Sequence, residues 1–147
     1  MRLNSLIWER LYPYVVALVG AIVWYCISNK SILKFPSSDA ILSSTLTVSG
    51  IFVGFLATCK AILISMDSPV LNDLAETRYI DDLVSYISQA IWWNLVFCLV
   101  NVVGYFCQST SYFSTLWMFF AICALLTFVR VTRIMLEIFK YSQKKEK

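Results

Sequence analysis

Three stretches of this chain carry no charged side chain: residues 11–29, 40–59 and 83–129. Buried charge is so costly in hydrocarbon that such runs mark where a chain can cross a bilayer. The shortest, at 19 residues, would rise about 28 Å as a helix, close to the roughly 30 Å hydrocarbon core. The longest, at 47 residues, suffices for two crossings and a tight connection. Composition agrees: 59% of residues are apolar and 14% charged, with a mean hydropathy of +0.72. Soluble domains carry about a quarter charged residues. The expectation is an all-α membrane protein, a single domain over 1–147 with four transmembrane helices.

The spans are expected at about 13–28, 41–64, 83–106 and 113–134. Pro13 suits the first turn of a helix, where its missing N–H costs nothing. Before it, Leu3, Leu6, Ile7 and Leu11 recur at helical spacing among Arg2, Glu9 and Arg10, which reads as a short interfacial helix. The first span ends in VWYCISNK, without a small-x-small cleavage site, and reads as a retained signal anchor. The uncharged connection CQSTSY is short enough to make the last two helices antiparallel neighbours.

Orientation follows from Lys and Arg. With four spans the termini share a side, and that side carries Arg2, Arg10, Lys60, Arg78, Arg130, Arg133, Lys140, Lys144, Lys145 and Lys147. The other side has Lys30 and Lys34. Ten against two predicts cytoplasmic N- and C-termini.

Lys60 interrupts the second span, and two roles fit it. It is an anchor, its stem snorkelling about 10 Å to the headgroups, or it lines a pore or gate. The anchor is the simpler role, because nothing holds the ammonium at mid-membrane. On the same helix Ser43, Thr47, Gly50, Gly54, Ala57 and Ala61 are spaced 4-3-4-3-4, a single stripe of small residues containing a GxxxG pair. Small residues let membrane helices approach closely for van der Waals contact. The stripe serves either packing inside one bundle or self-association into a homo-oligomer. Lys60 lies off it, on the side of Ser49, Val53 and Leu56.

In the third span Asn94 and Asn101 are seven residues apart, with Cys98 and Tyr105 on their face. Carboxamides in hydrocarbon seek partners, so the pair sets helix register or lines a polar path through an oligomer. Ser85 and Gln89 occupy a different face. Trp92 and Trp93 lie deeper than an aromatic belt usually does.

The acidic loop 67–82 holds five carboxylates and one Arg, with Ser68 and Pro69 placed to start a helix. The chain has no His, and this spacing matches no calcium loop. A solvated or partner-facing loop is expected rather than a catalytic one. The basic C-terminal tail 135–147 would attract anionic lipid or pair with that loop. The five cysteines, at 26, 59, 98, 107 and 123, read as small buried apolar residues, with a Cys26–Cys107 disulfide left open. With no His, nucleophile elbow, P-loop or metal-ligand spacing, no enzyme, cofactor, metal or nucleic-acid partner is expected. A proton-coupled carrier resembling the small multidrug antiporters would need a carboxylate in the first span, and 11–29 has none.

LSS at 42–44 opens the second helix, and Leu71, Leu74, Glu76 and Tyr79 follow in the next loop. With four spans and internal termini, this pattern resembles the RexB-type phage-exclusion membrane proteins, and is similar to small membrane effectors encoded beside bacterial defence sensors. The resemblance implies a dormant multi-pass protein of the bacterial inner membrane that depolarises the cell when triggered. Its partners would be the bilayer, further copies of itself, and a cytoplasmic sensor met through the acidic loop or basic tail. Two other functions fit the same residues: an accessory subunit of a larger membrane complex, and a phage holin.

Overall fold

The computed structural model describes the backbone of residues 2–29, 39–65, 79–107 and 111–145, and the side chains of 11–29, 39–65, 82–107 and 112–136. These residues form four helices: α1 (Arg2–Asn29), α2 (Asp39–Ser65), α3 (Tyr79–Cys107) and α4 (Ser111–Lys145). Each contains an apolar segment long enough to cross a membrane, at Leu11–Asn29, Asp39–Ser65, Asp82–Cys107 and Tyr112–Leu136. All four expected spans fall inside these segments.

Two boundaries differ from expectation. α1 is one unbroken helix with Pro13 in its interior, so there is no separate interfacial helix ending before the span. Interior proline forfeits a backbone hydrogen bond and crowds the preceding turn. Here its ring is fully buried in the bundle, so packing offsets that loss. The acidic loop is also shorter than 67–82, because Tyr79–Asp82 already belong to α3. The start at Ser68 and Pro69 lies outside the described residues.

α3 is the spine of the bundle. Seven of its buried positions, Leu83, Ile87, Ala90, Asn94, Phe97, Asn101 and Gly104, repeat at alternating steps of four and three, with buried Tyr86 beside them. That period keeps one seam facing its neighbours along the whole helix. α2 packs along α3, α3 along α4, and α4 along α1. α1 and α2, consecutive in sequence, therefore sit at opposite edges.

Pairings fix the directions. Asn101 meets Trp117 at one end of the α3–α4 seam, and Gln89 meets Arg130 at the other, so these helices are antiparallel. Thr45 meets Asn101 and Lys60 meets Ser88, so α2 and α3 are antiparallel too. The start of α1 and the finish of α4 thus share one end of the bundle, called here the terminal end.

The buried apolar residues form two clusters. Leu56, Leu83, Ile87 and Val131 anchor the one toward the terminal end; Leu42, Phe97, Phe113 and Trp117 anchor the far one. In the far cluster the chains approach so closely that a Cβ on Gly104 would lie 2.6 Å from the Phe113 ring and 3.0 Å from Leu42. Phe52 stacks on Phe128 at 3.9 Å, tying α2 across to α4.

Candidate functional site

α1 docks through small residues. Ala17 and Ala21 are buried, and a Cβ on Gly20 would collide with the Ile122 methyl of α4. Below this contact lies a polar junction of three helices. Tyr14 Oη accepts hydrogen bonds from Gln89 Nε2 and, at 2.9 Å, from Trp93 Nε1. Gln89 Oε1 in turn accepts from the Arg130 guanidinium at 2.6 Å, and that guanidinium sits 4.3 Å over the Tyr86 ring. The cation is thus held by a carboxamide and an aromatic face at the edge of the apolar zone.

This junction accounts for half of the deep Trp pair. Trp93 points inward and uses its N–H on Tyr14, whereas Trp92 is 68% exposed on the outer surface. The sequence signal was present in Tyr86, Gln89 and Trp93, which share a helical face. It was missed because Gln89 was grouped with Ser85, which faces outward.

α2 docks differently. Thr45 Oγ1 donates to Asn101 Oδ1 at 2.7 Å, Ser49 and Cys98 lie 3.0 Å apart, and Lys60 Nζ donates to Ser88 Oγ at 2.9 Å. Lys60 therefore has an interhelical partner that neither role assigned to it from sequence included. Its side chain is half-buried on the α3 side of α2.

The stripe of small residues faces the other way. Ser43, Thr47, Gly50, Gly54, Ala57 and Ala61 are all exposed, so packing within the bundle is not their role. Cβ atoms built on Gly50 and Gly54 would meet nothing within 4 Å. Two hydroxyls on this surface are satisfied locally: Thr47 donates to the Ser43 carbonyl and Thr58 to that of Gly54.

Asn94 and Asn101 are fully buried, and their surroundings differ. Asn101 Oδ1 accepts from Thr45 and, at 2.9 Å, from Trp117 Nε1, while its amide donates to the Phe97 carbonyl. Asn94 Nδ2 donates to the Ala90 carbonyl at 2.8 Å and more weakly to that of Ala124 at 3.4 Å. Asn94 Oδ1 has no donor among the described residues. Tyr105, grouped with them from spacing, is exposed.

All five cysteines are free thiols; Cys26 and Cys107 are exposed, and only Cys123 is fully buried. Among the described residues, no three His, Cys, Asp or Glu side chains converge as a metal site. Compared with protein-family models, characterised proteins and solved structures, the chain matches none.

Proposed function

We propose that this chain is a non-enzymatic effector of the bacterial inner membrane, part of an anti-phage abortive-infection system, that self-associates and depolarises the cell. One observation supports self-association above the rest. The outward surface of α2 carries bulky Val48, Ile51, Phe55 and Ile62 beside a continuous stripe of small residues, with open space over Gly50 and Gly54. A lipid-facing helix needs no such stripe, since bulky apolar residues serve there equally well. The anti-phage role comes from the RexB-type resemblance. Both termini are cytoplasmic by the ten-to-two bias of Lys and Arg. The acidic segment and the basic tail then face the compartment where a sensor of infection would act.

An accessory subunit of a larger complex would use the same outward face against a different protein. Co-purification separates the two readings. Differently tagged copies of the chain, expressed without other host partners, should capture one another and cross-link through a cysteine placed at Ala57. Gly54→Leu should abolish that capture and the loss of membrane potential seen with a voltage-sensitive dye. Monomeric wild-type chain that still depolarises cells would refute the self-association reading. Reporter fusions after residues 34 and 147 should read outside and inside.

A further inference from the structure

Asn94 stands halfway along the Asp82–Cys107 span, between the two apolar clusters. Its side chain is sealed from the surroundings, with 0% exposed. The amide nitrogen is occupied by two backbone carbonyls, and the carbonyl oxygen lacks a donor among the described residues. Exchanging the two amide atoms gives no relief, because the oxygen would then face those same carbonyl oxygens. A buried acceptor left without a donor is costly, the more so in an apolar medium.

Asn101 is the internal control. It is equally buried, on the same face and the same helix, and its oxygen accepts two hydrogen bonds. The missing donor therefore distinguishes Asn94 from Asn101. Burial restricts what can answer it: neither a lipid headgroup nor a second copy reaches a side chain enclosed in one protomer. Water is the donor small enough. Other polar side chains lie about one turn away along the seam: Cys98, hydrogen-bonded to Ser49, follows Asn94, and buried Thr127, whose hydroxyl bonds the Cys123 and Ala124 carbonyls, follows Ala124 on α4.

We propose that Asn94 Oδ1 binds a water molecule at mid-membrane, and that the permeation path opens from this site through the protomer's own core. The inference rests on the permeabilising reading above and changes its geometry. Self-association triggers opening, and ions cross inside each bundle rather than between copies. In the closed form Ile87 and Leu56 seal the terminal side of Asn94 and Phe97 the far side. Separation of α2 from α3 and α4 would extend hydration from the central water in both directions.

The site and the path are tested separately. Wild-type chain in lipid bilayers is labelled with nitrogen-15, and magnetisation transfer from water to the side-chain amides of Asn94 and Asn101 is timed by solid-state NMR. Transfer should be severalfold faster at Asn94; equal, slow transfer at both overturns the water site. For the path, potassium leak is measured from phosphatidylethanolamine–phosphatidylglycerol vesicles containing wild type, Asn94→Leu or Asn94→Ser. Leu should lower the leak about tenfold, whereas Ser, which leaves room and a hydroxyl for water, should largely preserve it. Undiminished leak through Asn94→Leu, or loss in both variants despite native helicity, overturns the core path. Wild-type vesicles that do not leak at all refute the permeabilising reading and the path with it, and the NMR contrast then decides the water site alone.

Discussion

The two edge helices attach to the α3–α4 pair by opposite means. α1 turns its small residues inward: Ala17, Gly20 and Ala21 bring it against α4, with the Tyr14 hydroxyl as its polar attachment. α2 turns its small residues outward and holds α3 with Leu42, Leu56 and three side-chain hydrogen bonds. In lipid both solutions work, because helix association there depends on close packing and hydrogen bonds rather than on hydrophobic burial. They leave different surfaces behind. The outer face of α1 presents bulky Val15, Leu18, Val19 and Ile22, suited to acyl chains, whereas that of α2 sets a stripe with Gly50 and Gly54 among its own bulky residues, Val48, Ile51, Phe55 and Ile62. A small-residue stripe thus has no fixed meaning until its direction is known.

The sharpest break of this contrast is Gly20→Leu. The new side chain must fit where even a Cβ meets Ile122, so α1 should be pushed from α4 at a cost of about 1–3 kcal/mol. Gly20→Ala should cost less, because the obstacle is the tip of a flexible side chain. Reversible unfolding in mixed micelles gives both values. A Leu variant as stable as wild type would mean that α1 is not docked as described.

Gly54→Leu is the matching change on α2, and its effect should appear elsewhere. With nothing within 4 Å of its Cβ, protomer stability should be unchanged or slightly raised, since Leu is the better helix former by almost 1 kcal/mol. Self-capture should be lost. Equal destabilisation by Gly54→Leu and Gly20→Leu would erase the distinction between the two helices.

How much of this was open to inspection in the sequence follows from the same physics. Charge-free length specified the spans, because a bilayer excludes charge whatever the fold. The inward placement of Asn94 and Asn101 was legible for a related reason, since carboxamides facing hydrocarbon are costly. The direction of the small stripes was not legible. Glycine and alanine fit a buried seam and a lipid-facing surface alike, so the long α2 stripe attracted notice while the shorter run Ala17–Ala21 did the internal packing. Nor could spacing within one helix reveal partners on another. Ser88 for Lys60 and Tyr14 for Trp93 depend on the edge positions of α1 and α2, which chain order does not imply.

A smaller effect tests the polar attachment of α1. Tyr14→Phe keeps the ring beside Trp93, 5.3 Å between centroids, and removes the oxygen that two donors share. At about 0.6 kcal/mol for an average hydrogen bond in a membrane bundle, the loss should be about 1 kcal/mol. Trp93→Phe in the Tyr14→Phe background should add little through hydrogen bonding, since its partner is already gone. Full additivity of the two changes would show that the hydroxyl does not tie α1 to α3.

The smallest expected effect concerns Lys60. Its contact with Ser88 is one hydrogen bond near the terminal end of the span, where water competes for an ammonium group more readily than at mid-membrane. Lys60→Met and Ser88→Ala, alone and combined, form a cycle that isolates the pairwise contribution from the general cost of changing either residue. Ser88 also donates to the Val84 carbonyl at 2.7 Å, so its removal alone has a local consequence that the cycle subtracts. The coupling should be about 0.6 kcal/mol. A coupling of that size makes Lys60 a third attachment of α2, alongside Thr45 and Ser49, and completes the contrast with α1. Zero coupling, with Lys60→Met still costly by itself, would instead mean that the ammonium leaves Ser88 for the headgroups. α2 would then be held at its terminal end by apolar packing alone, and the two edge helices would differ less than their contacts indicate.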